Sequence, residues 1–121
     1  MKAIEAIERA DRLKPNAYST EDKLAWLYRL DLQIATELHA AYEGESVLPD
    51  PAQAGAPDRA LLVAAPWDEL YDHYLAAQID YFDRETEGFN ASNAMFEASY
   101  GAYRNAFNRE HRARSATKLY Y

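Results

Sequence analysis

Aromatic residues recur every three or four positions between Leu61 and His111, a stretch that holds most of the aromatic side chains of the chain. Such spacing places side chains on one face of a helix, so the stretch predicts two amphipathic helices. Aromatic groups in this pattern are more often core than cofactor-stacking, and we interpret them as core. The stripe consists of Trp67, Leu70, Tyr71, Tyr74, Gln78, Tyr81, Phe89, Phe96, Tyr100, Tyr103 and Phe107.

These two helices are predicted over residues 66–82 and 89–111. Pro66 suits a first helical turn, because its φ is already helical and its missing N–H would have had no partner there. Asp68 and Glu69 follow it and favour the positive end of the helix dipole.

A turn is predicted between residues 83 and 92, which makes the pair a helical hairpin. Asp83-Arg84-Glu85 interrupts the aromatic stripe, Gly88 weakens a helix, and Asn90 or Ser92 could cap a new one. A single bent helix is the alternative, because the helical period can be carried across the gap.

A short helix is predicted over residues 2–14. Pro15 ends it, since proline disfavours the α region at the preceding residue. The helix is too short to be stable alone, so we expect it to dock on the body through Ile4 and Ile7.

A longer helix is predicted over residues 20–43, with Ser19 as its cap and Gly44 as its end. Trp26 lies beside the main stripe, which indicates either a wide buried face or a surface for a partner. The stripe itself consists of Leu24, Leu27, Leu30, Ile34, Leu38 and Ala41.

Residues 45–60 form a long loop, because the segment has three prolines, a glycine and no helical period. Loops of this length in a compact domain tend to be functional or disordered. Val47 and Leu48 could dock on the body or form a short strand. The apolar run 61–63 is too brief for a helix and is predicted to pack against the core as an extended segment.

The net charge of −7 argues against general affinity for nucleic acid, which needs a basic surface. Residues 104–121 carry five bases and one acid, a net of +4, which leaves −11 on the rest of the chain. A basic tail on an acidic body indicates contact with an acidic surface, such as that of another copy of the chain, while a frayed terminus is the alternative. No helix before residue 104 is basic, so sequence-specific nucleic-acid binding is not expected.

Composition excludes several other classes of protein and site. The chain has no cysteine, so disulfides and thiolate metal sites are impossible. Residues 1–13 do not resemble a signal peptide and no apolar run is long enough to span a membrane, so we expect synthesis in the cytoplasm and no membrane partner.

The sequence offers no candidate catalytic residue, metal ligand set or cofactor motif. None of His39, His73 and His111 has a glutamate three positions before it, as a helical di-iron site requires. Glu69 and His73 share a helix face, but an isolated pair is usually a surface contact. The four glycines are scattered singly, so no phosphate-binding loop is present. We therefore expect neither an enzyme nor a cofactor.

Three blocks in a fixed order resemble one family of proteins. They are LKPNAYSTEDKLAWLYRLD (13–31), LLVAAPWDELYDHYLAAQIDYF (61–82) and FNASNAMFEASYGAYRNAFNREH (89–111). Together the blocks resemble the head-to-tail connector, or adaptor, proteins of tailed phages and prophages. Asp83-Arg84 stands where relatives tend to have an Asn-Gly turn, and neither the central loop nor the segment beyond His111 is matched.

The resemblance implies an all-α subunit, a small helical bundle with a long helical hairpin, an extended central loop and a C-terminal tail. It implies a structural role in the virion neck, in a homo-oligomeric ring of about twelve copies beneath the portal protein that joins the capsid to a tail or stopper protein. The helical connector domain would be residues 1–111, and the basic and aromatic tail residues 112–121. A small cytoplasmic helical interaction or regulatory protein of a prophage is the alternative function.

Two segments are expected to bind partners. The tail is expected to dock on the portal, as the resemblance also implies, because arginine and aromatic residues are common interface anchors and the tail has no core of its own to join. The loop is expected to contact a neighbouring subunit or a tail component. The candidate partner-binding residues are Arg112, Arg114, Lys118, Leu119, Tyr120 and Tyr121 in the tail, and Val47 and Leu48 in the loop.

Overall fold

Helices form nearly all of the regular structure in this computed structural model, at about 72% of the chain. It describes the backbone of residues 1–43 and 48–119, and the side chains of residues 1–42 and 48–111. Within those ranges there is no strand, only an isolated bridge between Lys2 and Ala60. The predicted all-α fold is confirmed.

Four helices follow one another along the described backbone. Helix α1 is Ala3–Leu13, and α2 comprises Thr20–Ile34, a π-helical turn Ala35–His39 and a last turn Ala40–Glu43. Helix α3 is Leu70–Phe82, and α4 is Thr86–Leu119. A short 3-10 turn, Pro51–Gln53, lies in the connection between α2 and α3.

The first two helices begin where the sequence predicts. The Ser19 hydroxyl accepts a hydrogen bond from the backbone N–H of Asp22 at 3.1 Å, which satisfies one of the free donors at the start of α2. At α1, the Glu5 carboxylate accepts from the backbone N–H of Lys2 at 2.9 Å.

Helices α3 and α4 form the predicted hairpin, and the alternative of one bent helix is wrong. The chain turns at 83–85, where Arg84 has a φ of 60°, in the left-handed region that L-residues rarely occupy. The two helices then pack along each other and make the most extensive contact of the fold.

Both helices of this hairpin start within four residues of their predicted starts, inside the two to four residues allowed at each end. Residues 66–69 form turns with hydrogen bonds three residues back, such as Trp67 N–H to the Ala64 oxygen at 3.0 Å, so α3 starts at Leu70. Proline is equally suited to tight turns, which is why Pro66 misled the prediction. Helix α4 starts three residues before the predicted position, at Thr86.

Gly88 lies inside the first turns of α4, and Ser92 does not cap the helix. A Cβ atom at Gly88 would lie 3.0 Å from an Asp80 carboxylate oxygen, and the Ser92 hydroxyl donates to the same carboxylate at 3.0 Å. Because glycine has no side chain, α4 can approach α3 closely at the turn. This close contact explains why a glycine occupies position 88.

Helix α4 continues to Leu119, eight residues beyond its predicted end. The backbone of 112–119 therefore extends the helix into the segment predicted as a tail. The side chains of those eight residues, together with Tyr120 and Tyr121, lie outside the described residues.

The core lies where α1, α2, α3 and the middle of α4 meet. Of the stripe residues predicted to be core, Leu27, Leu30, Ile34, Leu38, Leu70 and Tyr103 are buried, and Tyr74 and Phe96 are half-buried against the core. Helix α1 docks through Ile7 as expected, but Ile4 is only half-buried.

Tyr81 and Phe89 of the aromatic stripe lie outside the core. Tyr81 is 61% exposed, because α3 buries Leu75 and Ile79 and thereby turns Tyr81 outward. The extended segment before α3 packs as predicted, with Leu61 and Val63 buried.

We predict opposite effects of adding a methyl group at two glycines of α4. Gly101→Ala should stabilise the fold by up to about 1 kcal/mol, because alanine is the better helix former and the nearest atom is 3.9 Å away. Gly88→Ala should destabilise it by about 1–2 kcal/mol, because the Asp80 carboxylate must move. Urea unfolding followed by circular dichroism measures both changes, and equal stabilisation would contradict the close contact at Gly88.

Candidate interaction surfaces

A buried carboxylate joins the central loop to the helical body. Asp31 of α2 is fully buried, and its Oδ1 accepts a 2.6 Å hydrogen bond from the Tyr71 hydroxyl of α3. Its Oδ2 accepts from Arg59 Nη1 at 2.7 Å and from the backbone N–H of Leu62 at 3.1 Å. The Tyr71 oxygen in turn accepts from the N–H of Val63 at 2.9 Å. One acidic side chain therefore fixes α2, α3 and the end of the loop together.

Backbone hydrogen bonds anchor the same part of the loop to the start of α1. The N–H of Ala3 donates to the oxygen of Arg59 at 2.9 Å, and that of Ile4 donates to the oxygen of Pro57 at 3.0 Å. The N–H of Leu61 donates to the oxygen of Met1 at 2.9 Å. The loop end is thus part of the fold.

Arg59 is the cation of this arrangement, and its side chain is only 9% exposed. Its guanidinium lies 5.7 Å from the centre of the Tyr28 ring, and its Nε and Nη2 atoms have no hydrogen-bond partner. Burying donors without partners is costly, so the pair with Asp31 offsets a penalty as well as adding attraction.

Aromatic contacts join the π-helical turn of α2 to α4. His39 Nε2 lies 2.6 Å from the Tyr103 hydroxyl, and the His39 ring stacks on Phe107 with centroids 4.4 Å apart. On the other side, Phe107 stacks on His111 at 3.9 Å, and Tyr42 packs against both rings. These contacts close the bundle opposite the hairpin turn.

A surface with aromatic and acidic side chains lies at the turn between α3 and α4, and we call it the hairpin-end surface. It surrounds an open cleft of about 430 Å³. Tyr81 packs against Phe89 with centroids 5.7 Å apart, and 61% of Tyr81 remains exposed. The cleft is lined by Asp80, Tyr81, Arg84, Glu85, Thr86, Phe89 and Asn90.

Phe82 extends this apolar area toward α2. Its ring stacks on Trp26 with centroids 5.3 Å apart and 11° between the planes, yet 48% of Phe82 is exposed. Trp26 is buried, which favours the wide buried face over a partner surface at that position. Phe82 and Tyr81, which were not predicted as partner-binding residues, are the aromatic groups that reach solvent here.

The hairpin-end surface has an excess of acid. Residues 83–87 contain three acids and Arg84, a net of −2. Asp83 accepts a hydrogen bond from the Tyr18 hydroxyl at 2.7 Å. The salt bridges of the described residues are Arg9 with Asp72, Lys14 with Asp80, Lys23 with Asp11 and Arg59 with Asp31, and none includes Asp83, Glu85 or Glu87.

The predicted partner-binding residues are mostly outside the described side chains. Leu48 is half-buried beside the anchored part of the loop, where the Tyr28 hydroxyl donates to the Pro49 oxygen at 3.2 Å. Val47, Tyr120 and Tyr121 lie outside the described residues, as do the side chains of Arg112, Arg114, Lys118 and Leu119. Their roles therefore stay predictions.

Among the described residues, no group of three or more histidine and carboxylate side chains is placed to hold a metal ion. Asp72, beside the sequence pair Glu69 and His73, is instead paired with Arg9 at 2.7 Å. No helix in the described part of the chain is both long and apolar enough to cross a membrane.

Comparison of the sequence with protein-family models, with curated proteins and with solved structures finds no match.

We predict that Arg59→Ala destabilises the fold by about 3 kcal/mol, because it leaves the buried Asp31 carboxylate without its cation. The matched control is Asp58→Ala, an exposed neighbour whose removal should change stability by less than about 0.5 kcal/mol. Urea unfolding of both variants measures the difference. Equal, small losses would show that the network around Asp31 contributes little.

Alkaline pH should weaken the fold through its buried tyrosines. Burial raises the pKa of Tyr71 far above its ordinary value of 10.0, and the neighbouring Asp31 carboxylate raises it further. Burial, followed by the hydrogen bond to Glu37, also raises the pKa of Tyr100. Because the folded pKa values are the higher ones, this stabilisation is complete below pH 10 and is lost as the pH rises above it.

Unfolding free energy measured against pH checks this expectation. Tyr71→Phe removes one of the groups that bind a proton more tightly in the folded state, so its stability should fall less steeply above pH 10. A slope identical to that of the parent chain would contradict the assignment.

Proposed function

We propose that this chain is a structural subunit of a tailed-phage neck, an adaptor that forms a ring below the portal protein and joins the capsid to a tail or stopper protein. The proposal begins from the order of the three sequence blocks that resemble this family. The all-α fold and the long hairpin are consistent with it, and the role is structural rather than catalytic.

The observation that carries the proposal furthest is the hairpin-end surface. Tyr81 and Phe82 expose large parts of their rings side by side, next to acidic residues with no salt bridge among the described side chains. Adjacent exposed aromatic groups with a polar rim are typical of surfaces that bind another protein. An assembly subunit needs such a surface, whereas an enzyme needs a polar cleft with converging reactive groups.

Two kinds of evidence would test the assignment to a virion neck. Portal and major capsid genes beside this gene would support it, as would detection of the chain by mass spectrometry in purified particles. In particles assembled without the chain, the proposal expects filled heads that do not join tails.

Binding to the portal gives the direct test. The portal protein from the same genome, mixed with this chain, should carry an extra ring beneath it in negative-stain electron microscopy. Tyr81→Ser in α3 should reduce ring occupancy at least about fivefold, because it removes an exposed aromatic anchor, while Met95→Ser, which changes an exposed apolar residue of α4, should not. A monomer that does not sediment with the portal would contradict the adaptor, and a one-to-one complex with a repressor would favour the regulatory alternative.

A further inference from the structure

We infer that the hairpin-end surface of one subunit binds the basic segment 112–121 of a second copy of the chain. This inference deepens the proposed function and rests on its self-assembling part. It names the contact that would join neighbouring subunits in the ring.

The geometry makes this contact intermolecular. Helix α4 runs without a break from Thr86 to Leu119, and each helical residue adds about 1.5 Å, so its two ends lie about 50 Å apart. The hairpin-end surface is at the first end and the basic segment is at the other. A chain cannot bring the two together within one subunit while α4 is intact.

The two ends are complementary in charge. Residues 83–87 have a net charge of −2, and the segment 112–121 has three bases and no acid, a net of +3. Opposite charges on different faces favour docking of unlike surfaces and disfavour docking of each face on itself.

The two ends also match in chemical type. The cleft presents the rings of Tyr81 and Phe89, and the segment supplies two arginines and the run Leu119-Tyr120-Tyr121. Guanidinium groups and tyrosine rings bind well against aromatic faces. A segment of this composition is therefore complementary to an aromatic cleft with an acidic rim.

Such a contact is heterologous, because the two surfaces that meet are different parts of the chain. Repeating it produces a ring when the rotation closes and a filament when it does not. From its sequence the same segment is expected to dock on the portal, but the described surface of the chain already offers a complementary site for it.

Charge exchange tests the pairing. At low salt, Glu85→Lys with Glu87→Lys should weaken self-association in sedimentation velocity by about tenfold or more, and so should Arg112→Glu with Arg114→Glu. The chain with all four changes should recover most of the association. The control, Glu8→Lys with Glu97→Lys, alters net charge by the same amount at exposed acids elsewhere and should leave association within about twofold.

Cross-linking tests the geometry, both in solution and on the portal. The chain has no cysteine, so only the introduced thiols can react. Asn90→Cys lies in the lining of the cleft and Ser115→Cys lies in the basic segment. With a short bismaleimide, the mixture of the two variants should give a covalent dimer, whereas each variant alone should associate without forming one. Retained helical circular dichroism shows that the variants are folded.

The outcomes separate this inference from the proposed function. Rings on the portal without the mixed cross-link, or a charge exchange that does not restore association, would overturn the inference and leave the adaptor standing. Loss of portal binding alone in the Arg112→Glu, Arg114→Glu variant, with self-association intact, would assign the segment to the portal and also overturn it. The mixed cross-link in a chain that never binds the portal would support the inference and refute the adaptor.

Discussion

The fold depends on a carboxylate that has no access to water. Asp31 is in the middle of α2, and its two oxygens accept three hydrogen bonds from α3 and the loop. Removing any one donor would leave a buried charge partly unsatisfied, so the three partners must be in place together. A connection of prolines and alanines, with almost no apolar area to bury, is thereby held at a defined position on the bundle.

Other contacts between helices use the same principle. Lys23 of α2 is buried and pairs with Asp11 of α1 at 2.8 Å, and Arg9 of α1 pairs with Asp72 of α3. Asp80 of α3 accepts from Lys14, just after α1, and from Ser92 of α4. Apolar faces alone allow several alignments of neighbouring helices, and polar pairs of this kind favour one of them. Because the chain is strongly acidic, some of its carboxylates can pair between helices while many others stay exposed.

Much of the fold could be predicted from helical periodicity and caps. The bounds of α1 and α2, the hairpin and most of the core followed from them, because they depend on local spacing. The role of Gly88 inside α4 could not be predicted, since it depends on a contact with Asp80 on another helix. The roles of Asp31 and Arg59 were missed for the same reason. These two residues are 28 positions apart in the sequence, and no local pattern links them.

The hairpin-end surface could not be predicted from helical periodicity either. Tyr81 belongs to the same sequence stripe as buried aromatic residues, and only the packing of Leu75 and Ile79 shows that its ring points outward. Charge asymmetry was visible in the sequence, but it singled out only the basic C-terminal end of α4 against an acidic remainder. Only the structure shows that the acidic residues of the turn lie beside the exposed rings of Tyr81 and Phe82.

The π-helical turn in α2 determines which way the side chains in the last turn of that helix point. The N–H of Ala40 donates to the oxygen of Ala35, five residues back, so this turn contains one residue more than an ordinary one. Each residue of a helix turns the chain by about 100°, so the extra residue decides whether His39 and Tyr42 meet Phe107 or face elsewhere. An insertion or deletion of one residue would be absorbed in the loop that follows, but within 35–39 it would change which side of α2 faces the far end of α4. This short stretch therefore has little freedom in length, although its composition is ordinary.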